Sequence, residues 1–167
     1  MAVNRKPARS DFTAGAGAAA IGARLRRLSE QFDRETGRIY AELDVPFEQR
    51  WFGVVNLLSL EGSLSVGELA TSLGVSHASI SQIRKALDEA GLIIWEGDPN
   101  DGRRRKLALS AAGAAIERRL RPLWDVLDEA AIEINNEAGD TVAALERLEK
   151  VLSRQPLYDR VRSRLPE

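Results

Sequence analysis

The stretch that decides the fold runs from Ser65 to Gly113: SVGELATSLGVSHASISQIRKALDEAGLIIWEGDPNDGRRRKLALSAAG. It opens on Ser65-Val66-Gly67-Glu68, a capping-box pattern in which the serine hydroxyl serves an amide three residues on and the glutamate reaches back. The helix it starts carries Leu69, Ala70 and Leu73 and stops at Gly74. Ser76 is a natural N-cap for a second helix, predicted to run to about Ala90, with Gly91 closing it. The texture then changes. Leu92-Ile93-Ile94-Trp95 is apolar and β-prone, Asp98-Pro99-Asn100-Asp101-Gly102 is dense turn chemistry, and Leu107 and Leu109 alternate after a basic run. These features predict a two-stranded hairpin with a charged tip.

A short capped helix, a tight Gly-Val turn and a longer helix make a helix-turn-helix, with a helical hairpin buried in a larger bundle as the alternative; the basic hairpin behind them favours the first. Helical phase assigns the second helix its task. With Ile80, Ile83 and Leu87 facing inward, Ala78, Ser81, Gln82 and Lys85 fall on the opposite face, with His77 beside them and Ser76 at the start. These side chains are small, polar or basic, as a helix entering the major groove of duplex DNA requires. Small residues let the backbone approach, Gln82 can pair with an adenine edge, and Lys85 can reach a guanine or a phosphate. Arg103, Arg104, Arg105 and Lys106 put positive charge at the hairpin, where a narrow minor groove attracts arginine. Ser76, His77, Ala78, Ser81, Gln82, Lys85, Arg103, Arg104 and Arg105 are therefore the candidate DNA contacts. Asp98, Asp101 and Gly102 are the candidate wing-shaping residues.

Outward from this core the chain is helical. Residues 1–17 show no hydrophobic period and are expected to be a flexible tail. From about Ala18 to Leu43, Ile21, Leu25, Leu28, Phe32, Ile39 and Leu43 recur at helical spacing, with Gly37 as a weak point or bend. Pro46 suits the first turn of the next helix, which carries Phe47, Trp51, Val54, Val55 and Leu58 to about Leu60. After the wing, Ser110 can cap a long helix that Pro122 should kink, Asp140 can cap another through Leu152, and Pro156 can start a last one ending near Leu165. Trp95 is expected to pack against the helix after Ser110, and Trp124 in the core or at an interface.

Composition excludes many chemistries. The chain has 167 residues, no cysteine and one histidine, so disulfides, thiolate zinc sites, cysteine nucleophiles and histidine pairs are out. No apolar run nears the ~18 residues of a membrane span. No bulky apolar leader is present, so the chain is expected to be cytoplasmic. Lys plus Arg number 24 and Asp plus Glu 25, so any charge aimed at DNA must be local. Gly15, Gly17 and Ala20 match the letters of a dinucleotide fingerprint but follow no strand. No carboxylate pair stands out, and neither enzyme activity, metal nor cofactor is expected.

The residues Glu68-Leu69-Ala70, Leu73-Gly74-Val75-Ser76, Ala90-Gly91-Leu92-Ile93, Asp98-Pro99-Asn100-Asp101-Gly102-Arg103 and Leu107-Ala108-Leu109-Ser110-Ala111-Ala112-Gly113 resemble the MarR family of winged-helix transcriptional regulators. The family's wing reads Asp-Pro-x-Asp-Arg-Arg, then a strand ending Leu-Thr-x-x-Gly. Here Gly102 takes the place of the first arginine, and Ser110 that of the threonine. The resemblance implies a mainly α fold with a β-hairpin wing, a winged helix-turn-helix with flanking dimerisation helices. On that reading residues 18–167 form a single domain, with dimerisation helices at 18–60 and 111–167 and the DNA-binding lobe at 61–110.

It further implies a homodimer, a repressor's role and a pseudo-palindromic operator in duplex DNA. Dimerisation also has a physical motive, because the stripes on 18–43, 114–135 and 141–152 hold more apolar surface than a small wing domain can cover. Members of the family can be released by a small aromatic or anionic effector. Tyr40, Arg50, Trp51 and Phe52 are candidates for such a pocket, set against plain core packing. Arg121-Pro122-Leu123-Trp124 and Leu157-Tyr158-Asp159-Arg160-Val161 are similar to a subgroup in which the domain precedes an acetyltransferase. With the sequence closing at Glu167, no second, catalytic domain is expected. The competing readings are a winged-helix protein-interaction module with an acidic partner, or a regulatory partner of a separate acetyltransferase.

Overall fold

The computed structural model describes residues 12–98 and 101–166, without the side chains of 12, 14, 98 and 101–104. In order, the elements are α1 (Phe12–Gly15), a 3-10 turn (Gly17–Ala20), α2 (Ile21–Glu42), a 3-10 turn (Gln49–Trp51), α3 (Phe52–Glu61), α4 (Val66–Leu73), α5 (His77–Glu89), β1 (Ile93–Asp98), β2 (Asp101–Leu109), α6 (Ala111–Glu137), α7 (Thr141–Arg154) and α8 (Leu157–Arg162). The fold class is the expected one: mainly helical, with one antiparallel hairpin. The chain divides into two compact units, up to Ala114 and from Ala115.

In the first unit the core collects on the winged lobe. Val54, Val55 and Leu58 of α3, Leu69 and Ala70 of α4, Ile80 and Leu87 of α5, and Leu92, Ile93 and Leu107 around the hairpin are all buried. The hairpin pairs Ile93 with Leu109 and Trp95 with Leu107, and its register shifts beyond Gly97. A short third partner went unseen in the sequence. Leu64 bridges to Leu107 through two backbone bonds, 2.9 and 2.7 Å, which ties the wing's second strand to the segment before α4.

Ser110 closes the hairpin against the next helix. Its hydroxyl donates to the Gly91 carbonyl at 2.7 Å and accepts from the Gly113 amide at 3.0 Å. The Leu92 carbonyl accepts from the Ser110 amide at 3.0 Å. A Cβ on Gly113 would sit 2.0 Å from that same Leu92 oxygen, so only glycine fits here. The glycine that ends the family's wing pattern thus has a packing cause.

Several element boundaries differ from expectation. Residues 12–15, inside the supposed tail, form a helical turn, because Arg24 and Arg27 of α2 donate to the backbone and hydroxyl of Thr13 at 3.4 and 3.1 Å. Residues 1–11 lie outside the described part. Pro46 does not start a helix. Asp44 ends α2 with a positive φ of 51°, and buried Val45 and Phe47 hold the chain extended until the turn at Gln49. Gly37 does not break α2. Pro122 lies inside α6.

The second unit contains the rest of α6, α7 and α8. Leu120 and Trp124 are buried, and buried Glu117 pairs with Arg121, whose guanidinium lies 5.2 Å above the Trp124 ring. Asp140 caps α7 as expected, accepting from the Ala143 amide, while the Asn135 side chain accepts from the Val142 amide at 2.9 Å. Among the described residues, no helix is long and apolar enough to cross a membrane.

Candidate nucleic-acid interface

The site is built by two caps and a turn. Ser65 and Glu68 form the full capping box: the Ser65 amide donates to Glu68 at 2.7 Å, and the Glu68 amide to the Ser65 hydroxyl at 3.2 Å. Gly74 ends α4 in the left-handed region, φ 65°, which a residue with Cβ adopts only at a cost. The chain reverses there, and Ser76 starts α5 by accepting from the Ser79 amide at 3.1 Å. Each device was legible in the sequence, and together they fix the angle at which α5 leaves α4.

The phase of α5 is the expected one. Ile80 and Leu87 are fully buried, while Ser76, His77, Ala78, Ser81, Gln82 and Lys85 are all exposed. The six lie in the ten residues from the cap to Lys85, a stretch whose exposed side chains are mostly small and include no acidic group. His77 sits over Gly67 of α4, with its Cε1 3.5 Å from where a Cβ on that glycine would be. Lys85 carries an ion pair to Glu89 at 3.7 Å, with both side chains mostly exposed. Such a pair contributes little in water and yields easily to a phosphate.

On the wing, Arg105 is exposed. The side chains of Arg103, Arg104, Asp98, Asp101 and Gly102 lie outside the described part. Lys106, the last of the basic run, turns the other way. Its side chain is largely covered and its Nζ lies 3.8 Å from Glu68, so it braces the wing against the start of α4. Neighbouring residues on β2 point to opposite faces, so Lys106 and Arg105 meet different surroundings.

Sequence reading missed one residue of this region. Arg84 stands four residues after Ile80 and three before Leu87, on the inward stripe of α5, where an apolar residue is the ordinary choice. Its guanidinium lies 5.5 Å from the centre of the Trp95 ring on β1. Trp95 thus faces α5, where packing against the helix after Ser110 was expected. The signal in the sequence was a charged residue at a core-phase position, eleven residues before a tryptophan.

The four pocket candidates differ in burial and in partners. Tyr40 and Trp51 are buried, and with Phe47 they form a chain of edge-on ring contacts at 5.2 and 5.6 Å. The Tyr40 hydroxyl donates to Gln49 at 2.7 Å. The Trp51 indole N–H is buried without a hydrogen-bond acceptor among the described residues. Phe52 is half-buried. Arg50 lines a pocket of about 450 Å3, together with Asp33, Gly37, Phe47, Glu48 and Gln49. Its Nε lies 2.6 Å from Glu48. Asp33 and Glu48 thus put two carboxylates beside the arginine. The turn that supplies Gln49 and Arg50 packs against both α2 and α5.

The same features recur in known proteins. Residues 43–104 match the MarR family model, a span that covers α3, α4, α5 and the hairpin up to its tip. The chain is 27% identical over 156 residues to a Thauera aromatica protein named for transcriptional regulation of the hcr operon, covering 90% of this chain and 93% of that one. Among solved structures, it is similar to the PcaV transcriptional regulator of Streptomyces coelicolor, solved with its natural ligand (22% identity, TM-score 0.58, covering 81% of this chain and 92% of that one). It is also similar to S. aureus MepR in complex with DNA (15% identity, TM-score 0.63, covering 79% of this chain and 96% of that one). At these identities the two structural likenesses establish the fold.

Proposed function

We propose that this chain is a MarR-family transcriptional regulator that acts as a homodimeric repressor, lodging α5 of each copy in successive major grooves of a pseudo-palindromic operator. The observation that carries this reading is the face of α5: Ser76, His77, Ala78, Ser81, Gln82 and Lys85 are exposed together while Ile80 and Leu87 anchor the opposite side. Gln82 is the base reader, through its bidentate amide; Lys85 and the wing arginines supply charge to the backbone and minor groove. Two copies related by a two-fold axis would present two such helices about 34–36 Å apart, one turn of DNA. A cytoplasmic location belongs to the same proposal.

Release by a small effector is supported by the pocket along α2 and the turn Gln49–Trp51. A ligand seated there presses on a turn that also packs on α5, so it can favour one placement of the recognition helix over another. With two carboxylates in the lining, a neutral or cationic aromatic compound suits it better than an anion.

The test is selection from a random duplex library by the purified full chain. Enrichment of two inverted half-sites, with centres one helical turn apart, is the expected outcome. Recovery of unrelated sequences at the frequency of the input would sink the operator reading.

A further inference from the structure

The inward face of the hairpin runs Ile93 then Trp95, since alternate residues of a strand share a face. Ile93 is buried and Trp95 is 38% exposed, so the core gives out between them as the wing projects. At that point α5 offers Arg84, in phase with buried Ile80 and Leu87, and its guanidinium covers the Trp95 ring at 5.5 Å. A planar cation over the face of an indole is attractive, and partial burial strengthens it. The pair therefore joins the recognition helix to the wing beyond the reach of the hydrophobic core. The neighbouring charges differ in direction: Lys85 pairs with Glu89 along α5, and Lys106 with Glu68 of α4.

We infer that Arg84 is a positioning residue: stacked on Trp95, it sets the wing's angle to α5, so that groove and wing contacts are made together. This rests on the DNA-binding reading proposed above. Arg84 has the charge to touch a phosphate itself, but its phase turns it toward the hairpin, away from the face of Gln82 and Lys85. Its effect on DNA then passes through Trp95.

The experiment is a double-mutant cycle with the full chain on a selected duplex: Arg84→Ala, Trp95→Leu and both, at a temperature where circular dichroism shows all four proteins folded. Each single change is expected to weaken binding about fivefold, and the double change no more than either. Hydroxyl-radical protection should fall at the flanks the wing covers and persist at the centre read by α5. A merely structural role would lower protection evenly. Additive losses would overturn the inference. So would a lower salt slope in Arg84→Ala alone, the mark of a direct phosphate contact. If the parent protein fails to distinguish selected from scrambled duplex, the DNA reading falls first, and this inference with it.

Discussion

Two residues show how closely the sequence specifies this lobe, one through packing and one through chemistry. Gly113 has the Leu92 carbonyl where its Cβ would be, and that oxygen is already held by the Ser110 amide. Gly113→Ala must push backbone against backbone at the joint of wing and helix. It should destabilise the fold by about 1–3 kcal/mol, read as a lower urea midpoint; an unchanged midpoint would mean that the joint is looser than described. Gln82 tests the chemistry. Gln82→Ala should keep the fold and the salt dependence but relax preference at one base pair by about 1–3 kcal/mol. A binding profile over all single-base variants of the site checks this, and an unaltered profile would remove Gln82 from the reading set. The exposure of Gln82 on α5 was legible because caps and helical phase are local properties. Arg84 was not, because its partner lies on another element and only the folded hairpin brings the ring to it.

At the scale of elements, short-range signals fixed the caps and the turn glycines, while tertiary contacts decided the boundaries. Ser65, Gly74, Ser76, Gly91 and Ser110 all do what their residue types favour. Pro46 does not, because burial of Val45 and Phe47 keeps the segment extended and delays the helix to the turn at Gln49. The basic run of the wing shows the same division. Composition marks four cations, yet the fold gives Lys106 a partner in Glu68 and leaves Arg105 exposed. Arg105→Ala should accordingly weaken binding to every duplex alike and reduce the slope of log affinity against log salt by about 0.9. A full slope with altered base preference would mean that Arg105 reads sequence and not phosphate.

At the scale of the molecule, the apolar surface left outside any core points to a second copy. On α2, Ile21, Leu25, Leu28 and Phe32 follow each other at helical spacing and stay 40–50% exposed. On α7 and α8, Val142, Val151, Leu157 and Val161 are also open. The periodicity of these stripes was plain in the sequence; their partner is not encoded in any local pattern. Phe32→Glu should place a carboxylate in the proposed interface and bring the sedimenting mass from twice 18.4 kDa down to that of one chain. A variant that stays at twice the chain mass would place the interface elsewhere. Around the turn at Gln49, Tyr40, Phe47 and Trp51 pack as a chain of rings and Arg50 pairs with Glu48, as the core-packing alternative anticipates. The central claim is that this chain reads duplex DNA through α5 and its wing, and its most direct test is fluorescence anisotropy on a selected duplex against a scrambled one across a salt titration. The account predicts tight, salt-sensitive binding to the selected duplex, saturating at two chains, and weak binding to the scrambled one; equal and weak binding to both would contradict it.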